Sequence, residues 1–240
     1  MPSINFATVG TIARREIRSF FNSPVAYVVI IVFLAILGWF FTSNLFLANV
    51  ASVRVVFELV PFLFLFFVPA ITMRLFAEEK KTGTLELLTT KPVRDVEIVL
   101  AKFLAALALL AAALLPTLVY LITVAILGKP DLGPAFTGYL GLLLMGAVFI
   151  GFGILASSLT DNQIVAFILA FLFVFVFFMF DKVLMYAPAG LAGVLEFLSV
   201  DSHFANMARG VVDSRNLVYF ASVIGFTLYL TTLSLERRKW

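Results

Sequence analysis

Residues 74–102 read RLFAEEKKTGTLELLTTKPVRDVEIVLAK. This is the long charged segment of a chain otherwise built from apolar residues. It holds six of the 17 Lys+Arg (Arg74, Lys80, Lys81, Lys91, Arg94 and Lys102) and five of the 14 acids (Glu78, Glu79, Glu86, Asp95 and Glu97). Charged side chains are costly in hydrocarbon. A hairpin of this kind between two apolar runs therefore lies in water. If that water is the cytoplasm, the hairpin is where a soluble partner could grip the membrane part.

The rest of the composition fits a membrane setting. Of 240 residues, 62% are hydrophobic and 13% charged, and the mean hydropathy is +1.11. Soluble domains are about 45–50% apolar and about 25% charged. The formal charge of +3 does not point to nucleic acid, because the basic residues fall in loops beside apolar runs. The chain has no cysteine and one histidine, His203. That excludes thiolate metal sites and disulfides and argues against a histidine metal site. Arg14, Arg15, Glu16 and Arg18 precede the first long apolar run, which therefore reads as a retained anchor rather than a removed signal.

A helix needs about 20 apolar residues to cross the hydrocarbon. Six runs satisfy this or approach it: residues 25–47, 58–76, 103–127, 138–159, 164–180 and 217–235. The second contains Pro61 and Pro69 and is expected to kink. The third is alanine-rich and the fourth carries Gly141, Gly146, Gly151 and Gly153, which allow close helix approach. The fifth carries seven phenylalanines, for lipid contact, helix packing or an apolar substrate path. Residues 1–24 are amphipathic, with Ile12, Ile17, Phe20 and Phe21 apart from Arg14, Arg15 and Arg18, and predict an interfacial helix. Residues 182–216 are less regular. Their apolar part is short and broken by Pro188, Gly190 and Gly193, and Asp201 or Ser202 reads as an N-cap with Gly210 as the stop. A pair of short half-helices re-entering one leaflet is expected there, with Gly190 and Gly193 allowing a turn buried by protein. The fold class is thus an all-α integral membrane protein in one domain spanning residues 1–240.

Lys+Arg counts set the orientation. With both termini cytoplasmic, twelve basic residues lie inside and five outside. The chain carries no G-x-x-x-x-G-K-[ST] phosphate cradle. No span has a charge at mid-depth, where ion-driven carriers usually place one. Glu58 follows Arg54 by four residues and reads as its helix partner. Asp161 and Asp181 read as caps or interface anchors, and His203 as a polar surface group. No carboxylate pair, nucleophile–base set or metal cluster lies at a consistent depth, so an embedded enzyme is poorly supported.

Inside the hairpin, residues 84–90 can form a short helix, capped by Thr82 or Thr84 and ended by Pro92. Leu85, Leu87 and Leu88 give it an apolar side. Asp95 reads as the cap of the third span, with Glu97 in its first turn. The pattern EEKKTGTLELLTTKP at residues 78–92 resembles the cytoplasmic coupling segment of ABC type-2 transporter permeases, at Glu78, Glu79, Gly83, Thr84, Glu86, Leu87 and Pro92. PVRDVEIVLAKF at 92–103 is similar to that family's passage into its third span. The whole plan of elbow helix, six spans and outer half-helices resembles the family too. Within it, the chain looks most like the gliding-motility-associated permease branch. The copper-related permeases of nitrous-oxide reductase maturation are near neighbours.

The resemblance implies a permease subunit, and an exporter, without catalysis of its own. It would bind no cofactor directly; ATP and Mg would sit on separate cytoplasmic ABC ATPase subunits. Residues 77–102 would form the coupling hairpin, with Gly83, Thr84, Leu85, Glu86, Leu87, Leu88 and Pro92 in the ATPase groove and Glu78 and Glu79 along its approach. A second permease subunit, identical or related, would complete the membrane part. Membrane lipid surrounds it, and the plan leaves a place for an auxiliary membrane or periplasmic protein. The expected location is the bacterial cytoplasmic (inner) membrane, multi-pass. An alternative is a non-transporting module that passes ATPase-driven motion to an extracytoplasmic or membrane partner.

Overall fold

The computed structural model describes residues 5–47, 52–84, 93–128, 131–186 and 188–237, and all regular structure among them is helical. Helix α1 (Phe6–Asn22) starts where the Asn5 side chain accepts from the N–H groups of Ala7 and Thr8. Extended Ser23 then ends α1 and caps α2 (Pro24–Phe46), its Oγ accepting from Val25 N–H. Pro24 in the first turn of α2 needs no N–H there. One serine and one proline thus make the corner between the two helices.

α3 (Arg54–Thr72) keeps both Pro61 and Pro69 inside it, and α4 (Arg74–Lys81) follows after an interruption at Met73. α5 (Asp95–Leu114) passes through a 3₁₀ turn at Leu115–Thr117 into α6 (Leu118–Leu127). Pro116 explains the change, because it has no N–H to continue the α ladder. α7 (Leu132–Leu159) and α8 (Gln163–Val183) follow, then α9 (Ala189–Leu198), α10 (Val200–Ala208) and α11 (Ser214–Glu236). Among the described residues, six helical stretches are long and apolar enough to cross a membrane: α2, α3 with α4, α5 with α6, α7, α8 and α11.

α7 is the axis of the bundle. Its apolar window is 78% buried, against 22% for α2 and for α8. Glycine makes this possible: Gly146, for example, lies under Leu110 of α5, and Gly153 against Thr72 of α3. Any Cβ at either position would strike the neighbour. α8 packs on α7 and α3 and buries the stripe Ala166, Ala170, Val174 and Phe178, while its other side leaves Ile168, Leu172 and Val176 exposed. α2 likewise buries Ala26, Phe33, Leu37 and Phe41 and exposes Val28, Ile31 and Trp39. Apolar faces of this width belong in lipid or against another membrane subunit.

Four local expectations change. Arg94, not Asp95, is the N-cap of α5, with Asp95 the first helical residue. Ser199, rather than Asp201 or Ser202, caps α10, its Oγ accepting from Ser202 N–H. Gly190 and Gly193 do not make a buried turn: both lie in α9 with open space where a Cβ would stand. His203 is half-buried rather than superficial, stacked on Tyr219 at 4.0 Å. Gly210 does end α10, at φ +91°. Arg54 and Glu58 form the expected pair at 3.0 Å, on the surface.

The charged ends of the helices collect on two opposite sides. On one side, Arg54, Glu58, Asp131, Asp181, Lys182, Asp201 and Arg209 surround an open cavity of about 1070 Å³. On the other, α1, α4 and the start of α5 come together.

Candidate coupling junction

The second side is built around Lys102, two turns into α5. Small residues allow the approach: Val9 and Ala13 of α1 bury against Ala101 of α5. That contact brings the next turn of α1 close enough for Glu16 to reach Lys102 at 3.5 Å. From α4, Glu79 Oε1 accepts from Lys102 Nζ at 2.8 Å. The ammonium also lies 5.2 Å from the centre of the Phe76 ring. The Lys102 side chain is 1% exposed. A buried ammonium is tolerated only when paired, and here three helices supply its surroundings.

One further tie fixes α1 and α5 together at their starts. Glu97 accepts from Asn5 N–H at 2.8 Å and from Arg94 N–H at 3.2 Å. The second bond is half of a capping box; arginine has no side-chain acceptor, so the reciprocal half does not form. On α4, Arg74 pairs with Glu78 at 3.1 Å and donates to Ser23 Oγ at the α1–α2 corner.

α4 is fastened to the bundle axis by Ser157 of α7. Its Oγ accepts from Phe76 and Ala77 N–H and donates to Met73 C=O. That is the full capacity of a hydroxyl, one donor and two acceptor sites. All three backbone groups lie at or just after the interruption between α3 and α4. Lys80 Nζ also donates to the Ser158 carbonyl. α4 therefore touches the α1–α2 corner, α5 and α7 through polar contacts, although it has only eight residues.

The expected site residues divide sharply. Glu78 and Glu79 lie on α4, but Glu79 turns inward to Lys102 and only Glu78 stays half-exposed. Gly83 ends α4 with φ +71°, a left-handed conformation that glycine takes without steric cost. Thr84 Oγ1 lies 3.0 Å from Thr82 Oγ1. Leu85, Glu86, Leu87, Leu88 and Pro92 fall outside the described residues. Between α1 and α4 a cleft of about 570 Å³ is lined by Glu16, Arg74, Glu78, Glu79, Thr84 and Lys102, among others. Among the described residues no group of three or more His, Cys, Asp or Glu could hold a metal ion.

Sequence reasoning missed Glu16, Lys102 and Ser157 as members of this junction. Lys102 carried a signal: it is the one charged residue between Glu97 and Lys129, and a lone charge beside an apolar run needs a partner. Nothing local marks Ser157, whose role depends on where α4 passes.

A six-crossing bundle with a charged junction at one end is compatible with several transport families. The family model for ABC-2 family transporter proteins matches residues 42–230. The chain belongs to the ABC-2 transporter family. No curated protein matches it. With six apolar helices, this ABC-2 chain is a multi-pass membrane protein. Membership makes it a permease subunit of an ABC transporter and implies a cytoplasmic ABC ATPase as partner.

Proposed function

We propose that this chain couples ATP hydrolysis by a separate ATPase subunit to export of a substrate, through the junction around Lys102. The observation that carries the reading is the convergence on α4. This short helix leads directly into the hairpin, and it is tied by Glu79 to α5 and by Ser157 to α7. A push on the hairpin would therefore act on the bundle axis and not on a slack loop. Two packings of the bundle, whose balance the ATPase biases, are sufficient for transport. ATP and Mg belong on the ATPase. Gly83, Thr84, Leu85, Glu86, Leu87, Leu88 and Pro92 would contact it.

The remaining architecture follows from the same reading. Residues 1–240 form one domain, with both termini and residues 77–102 in the cytoplasm of a bacterial inner membrane. α1 acts as an elbow helix; its exposed Arg14, Arg15 and Arg18 suit anionic headgroups. α9 and α10 form the outer re-entrant pair. The exposed faces of α2 and α8 accommodate lipid and a second permease subunit. The resemblance to the gliding-motility-associated branch is part of the same reading.

The test is a photoreactive residue at Leu87 in the full chain, crosslinked in native membranes. An ABC ATPase should be the crosslinked protein, and the purified complex should hydrolyse ATP in liposomes. If the chain purifies without an ATPase and Leu87 crosslinks to none, the coupling reading fails. A second reading, in which motion is passed to an outer partner, is favoured by the exposed Leu191 and Val194 on α9. Measured flux across the liposome membrane would decide against it.

A further inference from the structure

A groove of about 770 Å³ runs between α9, α10 and α11. One end is formed by Asp213, Arg215 and Asn216, where α11 begins, and the other by Val218, Val223 and Phe226. From Arg215 to Phe226 the helix rises roughly 17 Å at about 1.5 Å per residue. One leaflet contributes about half of a hydrocarbon core of about 30 Å. The groove is therefore charged at the membrane surface and apolar toward mid-bilayer, the same gradient as a lipid. Val218 and Phe226 are exposed, so its apolar half opens sideways to the membrane.

The polar end has unused hydrogen-bonding capacity. Asn216 is only 4% exposed, yet its Nδ2 has no partner. Its Oδ1 lies 2.8 Å from His203 Nδ1. His203 decides which end of the amide stays free. The other ring nitrogen faces the Phe197 carbonyl at 3.1 Å, so it carries a proton, and the ring is held by stacking on Tyr219. Nδ1 is then an acceptor, so the amide turns its Nδ2 to donate there, and Oδ1 is the buried end left without a partner. Beside this amide, Arg215, Asp213 and Glu196 line the groove and make no ion pair among the described residues.

We propose that this groove is a binding site for a zwitterionic phospholipid of the leaflet in which α11 begins. The phosphate takes the Arg215 guanidinium, and the ammonium takes Asn216 Oδ1, Glu196 and Asp213. An acyl chain lies along Val218, Val223 and Phe226. A free headgroup would leave the apolar half of the groove unfilled, which is why the occupant is a lipid. The site is independent of the ATPase and of the transported substrate.

The test uses the full chain in nanodiscs. Trp39→Phe and Trp240→Phe remove the native indoles, and Phe226→Trp places one in the groove. A phosphatidylethanolamine with brominated chains is added at low mole fraction to unbrominated phosphatidylglycerol. The indole should be quenched as if that lipid were enriched locally by about tenfold, a ratio one charge-assisted hydrogen bond can supply. Arg215→Ala with Glu196→Gln, both exposed positions, should return quenching to the bulk mole fraction. Quenching at the bulk value in the parent, or enrichment that survives the double variant, overturns the proposal. Equal enrichment of brominated phosphatidylglycerol, which lacks the ammonium, overturns it as well.

Discussion

Lys102 Nζ lies 2.8 Å from Glu79 Oε1, and Glu16 Oε2 stands on its other side at 3.5 Å. One ammonium therefore holds two carboxylates from two different helices. The asymmetry orders the variants. Glu79→Gln leaves Lys102 paired with Glu16, whereas Lys102→Met leaves two acids facing each other without a cation. Breaking a buried pair from one side costs about 3–5 kcal/mol, while replacing both partners by apolar groups is often neutral. Lys102→Met should lower thermal stability in detergent most, Glu79→Gln less, and Glu79→Leu with Lys102→Met should recover much of the loss. Equal melting temperatures for the parent and Lys102→Met would show that the pair contributes nothing.

Ser157 makes a separate prediction. Ser157→Ala leaves Phe76 N–H, Ala77 N–H and Met73 C=O without the hydroxyl that serves them. An unsatisfied buried polar group costs about 1–3 kcal/mol. The variant should lose stability on that order, and amide exchange at Phe76 and Ala77 should quicken while α8 is unaffected. Unchanged exchange at these two amides would mean that the interruption at Met73 holds without Ser157.

These two contacts also show where sequence reading reaches its limit. The six apolar runs were legible because hydrocarbon thickness imposes a minimum length on any crossing helix. The Arg54–Glu58 pair was legible because spacing of four residues fixes neighbours on one helix. Glu79 with Lys102, and Ser157 with Phe76, join residues 23 and 81 positions apart. Such pairings depend on how α4 lies against α5 and α7, which no local pattern states. The misreading of Gly190 and Gly193 has a related cause. Glycine permits a tight turn, but it also sits without steric conflict in an exposed helix. The choice between the two depends on neighbours that the sequence does not name.

Orientation is open to direct test, since the chain has no native cysteine. The sequence count of twelve basic residues in one set of loops and termini against five in the other predicts that the junction faces the cytoplasm. A single cysteine in place of Thr82 should react with an impermeant maleimide only in inverted vesicles. One in place of Ser214, at the start of α11, should react only in right-side-out cells. The reverse pattern would put the junction out of reach of any cytoplasmic ATPase.

The hairpin beyond Gly83 carries the last prediction. Leu85, Leu87 and Leu88 are the apolar residues of a segment otherwise made of Thr, Glu, Lys and Pro. Burying one leucine side chain contributes roughly 1.5–3 kcal/mol, whereas an exposed ion pair contributes about 0.2–1 kcal/mol. The leucines should therefore carry affinity for the ATPase. Glu79 is engaged with Lys102 and should act on the junction instead. Leu87→Asp places a charge where the groove expects a hydrocarbon and should release the ATPase during purification, with the permease itself still folded. Glu79→Gln should retain the ATPase but weaken the link between hydrolysis and the bundle. The measurement is ATPase recovered per permease, followed by ATP turnover of each complex in liposomes. If Leu87→Asp retains the ATPase at the parental ratio, docking does not run through this hairpin, and the junction around Lys102 serves stability alone.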